Sequence, residues 1–164
     1  MYHLVMEIHY VVGDATLPVG TGTKVICHCV NDAGQWGSGF VLALNARWRD
    51  PMMAYREWFK QGTMSGVEFV LGNVQYVKVN DGTWVANLIG QHRTIALAEK
   101  VPIRYDAIKT GLTNVASFCI DNDASVHMPR MGAGLARGDW NEVERIVSEV
   151  LVDRGVSVTV YDLK

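Results

Sequence analysis

Apolar positions in this chain follow two rhythms, and their alternation predicts its elements. Leu4 to Val12 is an apolar, β-branched run that stops at Gly13-Asp14, and Lys24 to Val30 is a second that ends at Asn31-Asp32. Val67 to Leu71, Val74 to Val79 and Trp84 to Ile89 follow, divided by Gly72-Asn73 and Asp81-Gly82, dipeptides that favour hairpin turns. Ser125 to Met128 and Val156 to Tyr161 complete the predicted strands. Elsewhere the apolar spacing is helical. Ser38 to Trp48 predicts one helix. Asp50-Pro51, read as an N-cap with proline at the first helical position, opens another that runs to about Lys60. Tyr105 to Ile120 places Ile108, Leu112, Val115 and Cys119 on one stripe. Asp139-Trp140-Asn141-Glu142 starts a last helix like a capping box. It runs to about Asp153 and ends at Gly155. Strands interleaved with helices in this order predict a mixed sheet with helices on both faces. Ligands of such folds sit beyond the carboxyl ends of the strands, where the glycine-rich segments of this chain fall.

Composition narrows the class. The chain has 164 residues, 49% of them hydrophobic and 20% charged, which suits one folded domain over 1–164 and excludes disorder. A net charge of −2 gives no basic face for a nucleic acid. Backbone amides still allow a nucleotide ligand, because they hold phosphate without surplus Lys or Arg. Three cysteines, an odd number, with Cys27 and Cys29 in an apolar run, read as reduced thiols. Cys27-His28-Cys29 has no second pair to complete a zinc site, so no metal is expected. No apolar run reaches the length of a membrane span, and no signal peptide is read at the N-terminus; a cytoplasmic, monomeric protein is the expectation.

Three segments carry candidate chemistry. Gly34-Gln35-Trp36-Gly37-Ser38-Gly39-Phe40 joins a strand to a helix, and its glycines let the backbone approach a phosphate; the alternative is a plain tight turn. Pro129-Arg130-Met131-Gly132-Ala133-Gly134-Leu135-Ala136-Arg137-Gly138 follows another strand and ends at a helix cap. It matches neither a Rossmann loop nor a P-loop. Two such loops in one small domain suggest two walls gripping one diphosphate. Gly13-Asp14-Ala15-Thr16 ends the first strand, and the Asp14 carboxylate can accept from an exocyclic amine such as adenine's.

Gly13-Asp14, His28-x-x-Asn31, Gly37-x-Gly39, Pro129-x-x-Gly132-x-Gly134-Leu135, Trp140 at a helix start and Val160-Tyr161-Asp162-Leu163 occur together over nearly the whole chain. As a set they resemble the macro domain superfamily. The likeness is to the branch holding the terminal ADP-ribose protein glycohydrolase and the small ADP-ribose-1''-phosphate phosphatases. The phosphatases are similar at His28, Asn31, Gly34, Trp36, Gly37 and Gly39. The resemblance implies a three-layer α/β/α sandwich around a mixed sheet of about six strands, with an ADP-ribose cleft. It implies that Asp14 and Ala15 meet the adenine, and that Tyr161 and Leu163 line its pocket. It also implies that Gly37, Ser38, Gly39 and Phe40, with Met131, Gly132, Ala133, Gly134, Leu135 and Ala136, hold the diphosphate and distal ribose; Gln91 and Pro129 are further ligand-binding candidates, and Trp36 can stack on ribose or fence the cleft.

The sequence departs from the glycohydrolase at two places. Gln91 stands where that enzyme has the lysine that forms its sugar adduct, and Ala136 where it has an acid–base aspartate. The catalytic candidates left are His28 as acid or base, Asn31 to orient ribose hydroxyls and Asp32 to polarise water or His28; His92 is a further titratable neighbour. His28 in an apolar strand also fits a buried structural role, and Trp36 fits a core aromatic. The expectation is a protein that binds ADP-ribose and hydrolyses a derivative of it, with ADP-ribose-1''-phosphate the first choice. A reader module without chemistry, or a hydrolase that frees ADP-ribose from protein or nucleic acid, is the alternative. The partners expected are ADP-ribose derivatives and ADP-ribosylated macromolecules. No cofactor is expected.

Overall fold

Val25, Cys27, Val126, Val158 and Val160 turn to one face of a central sheet, while Ile26, Val30, Val85 and Ile89 turn to the other, so both faces are apolar and both must be covered. The computed structural model describes residues 6–37, 39–93, 103–132 and 138–163. Its strands are β1 (His9–Val12), β2 (Thr23–Asn31), β3 (Thr63–Met64), β4 (Val67–Glu68), β5 (Val74–Asn80), β6 (Thr83–Gln91), β7 (Ala124–Met128) and β8 (Val158–Asp162). Its helices are α1 (Phe40–Asn45), α2 (Asp50–Gln61), α3 (Tyr105–Asn122) and α4 (Trp140–Val150).

Six strands form one mixed sheet in the order β1-β8-β7-β2-β6-β5. All neighbours are parallel except the β5–β6 hairpin, which turns at the Asp81-Gly82 pair. α3 and α4 pack on one face through Ile108, Leu112, Val115, Val143 and Val147. α1 and α2 cover the other through Val41, Leu44, Tyr55 and Trp58. The result is the expected three-layer α/β/α sandwich. The parallel strands β1, β8, β7, β2 and β6 all present their carboxyl ends at one edge.

Local differences from the sequence reading have physical causes. The first strand begins at His9; Leu4 and Val5 lie outside the described residues. Val67 to Leu71 is not a strand of the main sheet. Only Val67–Glu68 is extended, paired with Thr63–Met64, and Phe69 leaves the strand to pack on Tyr55, Trp58 and Phe59. The first helix is six residues, Phe40–Asn45. Asp50 lies inside α2 behind an Arg49 N-cap and makes no cap hydrogen bond. Asp139 does cap α4, accepting from the Asn141 amide at 2.9 Å. Glu142 does not complete a capping box: it pairs with Arg145, while the Asp139 amide donates to the Tyr105 hydroxyl. α4 ends at Val150, and a 3-10 turn over Val152–Arg154 leads to Gly155 at φ 84°. No helix among the described residues is long and apolar enough to cross a membrane.

Candidate functional site

A cleft of about 790 Å³ runs along the carboxyl edge of the sheet. β1 delivers Asp14 and Ala15 to its wall, β2 delivers His28 and Asn31, and β6 delivers Gln91. Beyond β7 come Pro129, Met131 and Gly132; β8 brings Tyr161 and Leu163; Gly37, Gly39 and Phe40 come from the loop into α1. The segments far apart in sequence therefore meet at one place. β1 and β2 stand three strand spacings apart, so Asp14 and His28 are separated by roughly 14 Å along the edge. Ser38 and residues 133–136, also expected here, lie outside the described residues. Asp32 and Trp36 are not among the lining residues.

At the β1 end, Asp14 Oδ1 accepts from the Thr16 amide and hydroxyl at 2.8 and 2.7 Å, and Oδ2 lies 3.9 Å from Arg47. Arg47 in turn donates to the Thr16 hydroxyl. These bonds form the 14–16 turn and hold the carboxylate at the wall. Nearby, Tyr161 is 4% exposed, and its hydroxyl accepts from the Val19 amide at 2.9 Å. The same hydroxyl lies 2.7 Å from His127 Nδ1, whose Nε2 meets the Ser125 hydroxyl at 2.8 Å.

His28 is 1% exposed. Its Nε2 lies 2.6 Å from Asn87 Oδ1, and Nδ1 is a buried polar atom with no partner among the described residues. Burial pushes the imidazole down to about 4, against a smaller upward pull from the Asn87 bond, so the ring is neutral near pH 7. Strand alternation sends Cys27 and Cys29 to the opposite face, so the three residues cannot converge on one ion. Cys29 lines the cleft, but burial raises its thiol to about 12, which leaves it a poor nucleophile.

Three residues of the expected site are tied to protein partners. Asn31 is bonded to its own loop and to α2: Oδ1 accepts from the Ala33 and Gln35 amides and the Tyr55 hydroxyl, and one Nδ2 hydrogen goes to the Gln35 carbonyl. These bonds shape the turn and fix the side chain in the cleft lining. Asp32 does not reach His28. It binds His92 Nδ1 at 2.7 Å and accepts from the Arg93 amide at 2.7 Å, fastening β2 to the end of β6. Trp36 is a core aromatic, 6% exposed. It packs edge-on against His28 at 5.3 Å and donates from Nε1 to Asn45.

Gly132 and Gly138 hold the stem of the second glycine loop, the Gly138 amide donating to the Gly132 carbonyl at 2.7 Å. A Cβ on Gly132 would lie 2.6 Å from Ile103 Cδ1. Arg130 lines the cleft and was missed as a site residue in the sequence. It lies over the rings of Tyr10 and Trp140, and its guanidinium binds Asp162 with two bonds, at 2.6 and 3.1 Å. That pairing holds the Asp162 carboxyl below its ordinary value. The signal available was a basic residue directly after a strand in a glycine loop. Asn87 was missed because nothing local separates a buried polar residue from an exposed one inside a β run.

No family model matches the chain. Among solved structures it is similar to a macrodomain protein from Streptomyces coelicolor, at 49% identity and a TM-score of 0.83, covering 95% of this chain and 99% of that one. It is also similar to a protein of unknown function from Bacteroides thetaiotaomicron, at 52% identity and a TM-score of 0.91, over 96% and 99% of the two chains. The chain belongs to the macrodomain family. The human ADP-ribose glycohydrolase OARD1 is 28% identical over 96% of this chain and 92% of its own length. The chromodomain-helicase-DNA-binding protein 1-like of Danio rerio is 33% identical over 94% of this chain, which spans only 15% of that relative's length.

Proposed function

We propose that the cleft binds ADP-ribose and hydrolyses a derivative substituted at the distal ribose, freeing ADP-ribose from a modified macromolecule. The observation that carries this reading is His28, a buried imidazole among the residues lining a cleft of about 790 Å³, whose Nδ1 has no partner among the described residues. The adenine lies by Asp14, Tyr161 and Leu163. The diphosphate lies against the two glycine loops, at Gly37, Gly39 and Gly132. The distal ribose lies by His28. The name of the similar human enzyme, an ADP-ribose glycohydrolase, supports the class of reaction.

In this reading His28 Nδ1 accepts a proton from the attacking water. The water oxygen bonds to the anomeric carbon as the bond to the leaving group breaks, and the leaving group departs with its electron pair. Gln91 supplies no amine, so no lysine–sugar adduct forms and the water attacks directly. Asn31 and Asp32 act through the backbone they hold.

ADP-ribose-1''-phosphate is the second reading. Gln91 favours it as much as it favours the first, because neither route needs the lysine. Trp36, one of the positions similar to the phosphatases, packs on His28 behind the wall and bonds Asn45. One comparison separates the readings. The protein is incubated with an ADP-ribosylated protein, ADP-ribosylated DNA and ADP-ribose-1''-phosphate, following free ADP-ribose and inorganic phosphate. Release of ADP-ribose from a macromolecule supports the first reading, and phosphate release alone supports the second. Binding of ADP-ribose without any turnover makes the protein a reader.

A further inference from the structure

Beneath the wall of the cleft, a line of polar side chains crosses three strands inside an otherwise apolar layer. His28 on β2, Asn87 on β6 and Gln75 on β5 are in register, His28 beside Asn87 and Asn87 beside Gln75. Asn87 is fully buried and His28 nearly so. An apolar layer of this kind takes polar groups only where they are bonded, so each bond here constrains the next.

The polarity of the line is set by backbone carbonyls of α2, which can only accept. Gln75 Nε2 lies 2.9 Å from the Ala54 carbonyl, so this nitrogen donates and Gln75 Oε1 faces Asn87. Asn87 Nδ2 lies 3.0 Å from that oxygen and 3.2 Å from the Pro51 carbonyl, and its two hydrogens are spent there. Asn87 Oδ1 therefore faces His28 as an acceptor at 2.6 Å, and His28 Nε2 must carry the proton. The neutral ring has one proton to place. Nδ1, which has no partner among the described residues, is left as a bare lone pair.

We propose that Asn87, oriented by Gln75 and the first turns of α2, is the positioning residue that fixes His28 in the Nε2–H tautomer and makes Nδ1 an acceptor for a water or hydroxyl in the cleft. Deepening the proposed function, this inference rests on it only for the catalytic consequence; the tautomer is a property of the free protein. The line explains why a strand otherwise built of Val85, Ala86, Leu88 and Ile89 carries an asparagine among them. The groups packed against His28 do not compete for control of its proton. Trp36 and Phe40 are uncharged rings, and the titratable neighbours Tyr55, Cys27 and Cys29 are all pushed up by burial and stay neutral near pH 7.

The test begins with the unmodified protein, its histidines labelled with ¹⁵N and read by long-range imidazole correlation spectra from pH 5 to 8. His28 should show an unprotonated Nδ1 and a protonated Nε2 throughout. A His28 protonated at Nδ1 overturns the proposal whether or not the protein turns over any ADP-ribose derivative. The second step is Asn87→Asp, which sets a carboxylate against Nε2–H, keeps that tautomer and favours the imidazolium. On the best substrate of the comparison above, the acidic limb of the turnover profile should move up by about one pH unit or more, because Nδ1 holds its proton to higher pH. ADP-ribose affinity, measured by calorimetry, should move less than about tenfold. A variant with the wild-type pH profile overturns the proposal. If Asn87→Asp does not fold, Gln75→Met cuts the line one residue further from the ring. It should produce a mixture of His28 tautomers, and an unmixed Nε2–H spectrum there removes Gln75 from the proposal and leaves Asn87 oriented by the Pro51 carbonyl alone.

Discussion

Asp14 is tied to its own turn, and that decides how it should be probed. Removing the side chain with Asp14→Ala also removes the acceptor of the Thr16 amide and hydroxyl, so loop and ligand effects would mix. Asp14→Asn retains an oxygen for Thr16 and removes the charge. It should weaken ADP-ribose by ten- to a hundred-fold in calorimetry, the equivalent of roughly 1.5–3 kcal/mol for a charge-assisted bond, with little change in melting temperature. Asp14→Ala should show a similar loss of affinity with a lower melting temperature. Unchanged affinity in Asp14→Asn would place the adenine elsewhere. His28 calls for a different comparison. His28→Ala should cut turnover by a factor on the order of 10² to 10⁴ while affinity changes far less. A structural histidine predicts the reverse: a lower melting temperature and an unchanged rate per folded molecule, in both His28→Ala and His28→Gln. The residue types at Asp14 and His28 were legible in the sequence, and Arg130 was passed over. Their partners were not, because Asn87 meets His28 from another strand, 59 positions away.

At the scale of elements, the two glycine loops are not equivalent probes. Gly132 sits at φ 77° with Ile103 behind it, so any side chain there strains the backbone before it touches a ligand. Gly37 lines the cleft, and a Cβ built on it meets nothing within 4 Å. Gly37→Glu is therefore the cleaner test. It should leave the melting temperature within a few degrees of wild type and abolish detectable ADP-ribose binding, by placing a carboxylate where the diphosphate approaches. Gly132→Glu should lose both binding and stability. Wild-type affinity in Gly37→Glu would remove the first loop from the site. The sequence signals that worked here were local ones. Asp81-Gly82 made a hairpin, Asp139 capped α4, and Gly155 closed the turn that follows it. Those that failed were overruled by packing. Asp50 gave up its cap to Arg49, and Val67 to Leu71 gave up strand pairing so that Phe69 could join the aromatic cluster on α2.

At the scale of the whole molecule, strand order was beyond local reading, since β8 inserts between β1 and β7 across most of the chain. That same long-range order buries two histidines in the sheet, and it makes an acid-sensitive fold. His28 and His127 are each held at about 4, with burial the main cause in both; the Asn87 bond opposes it for His28, and the Lys24 charge adds to it for His127. In the unfolded chain both titrate near 6.5. Between about pH 6.5 and 4 the unfolded state therefore binds more protons than the folded one, and stability must fall as pH falls through that window. Above it, both groups are neutral in both states and contribute no slope. The loss should be of order 3 kcal/mol for each histidine once pH reaches about 4, at about 1.4 kcal/mol for each pH unit crossed. Urea unfolding at intervals from pH 4 to 8 measures it, with His28→Gln and His127→Gln beside the wild type. Each variant should have a shallower slope between pH 6.5 and 4, even where its stability at pH 8 is lower, because it has one fewer neutral imidazole to charge on unfolding. A variant slope equal to that of the wild type would mean that its histidine takes up its proton inside the folded protein as readily as in the unfolded chain.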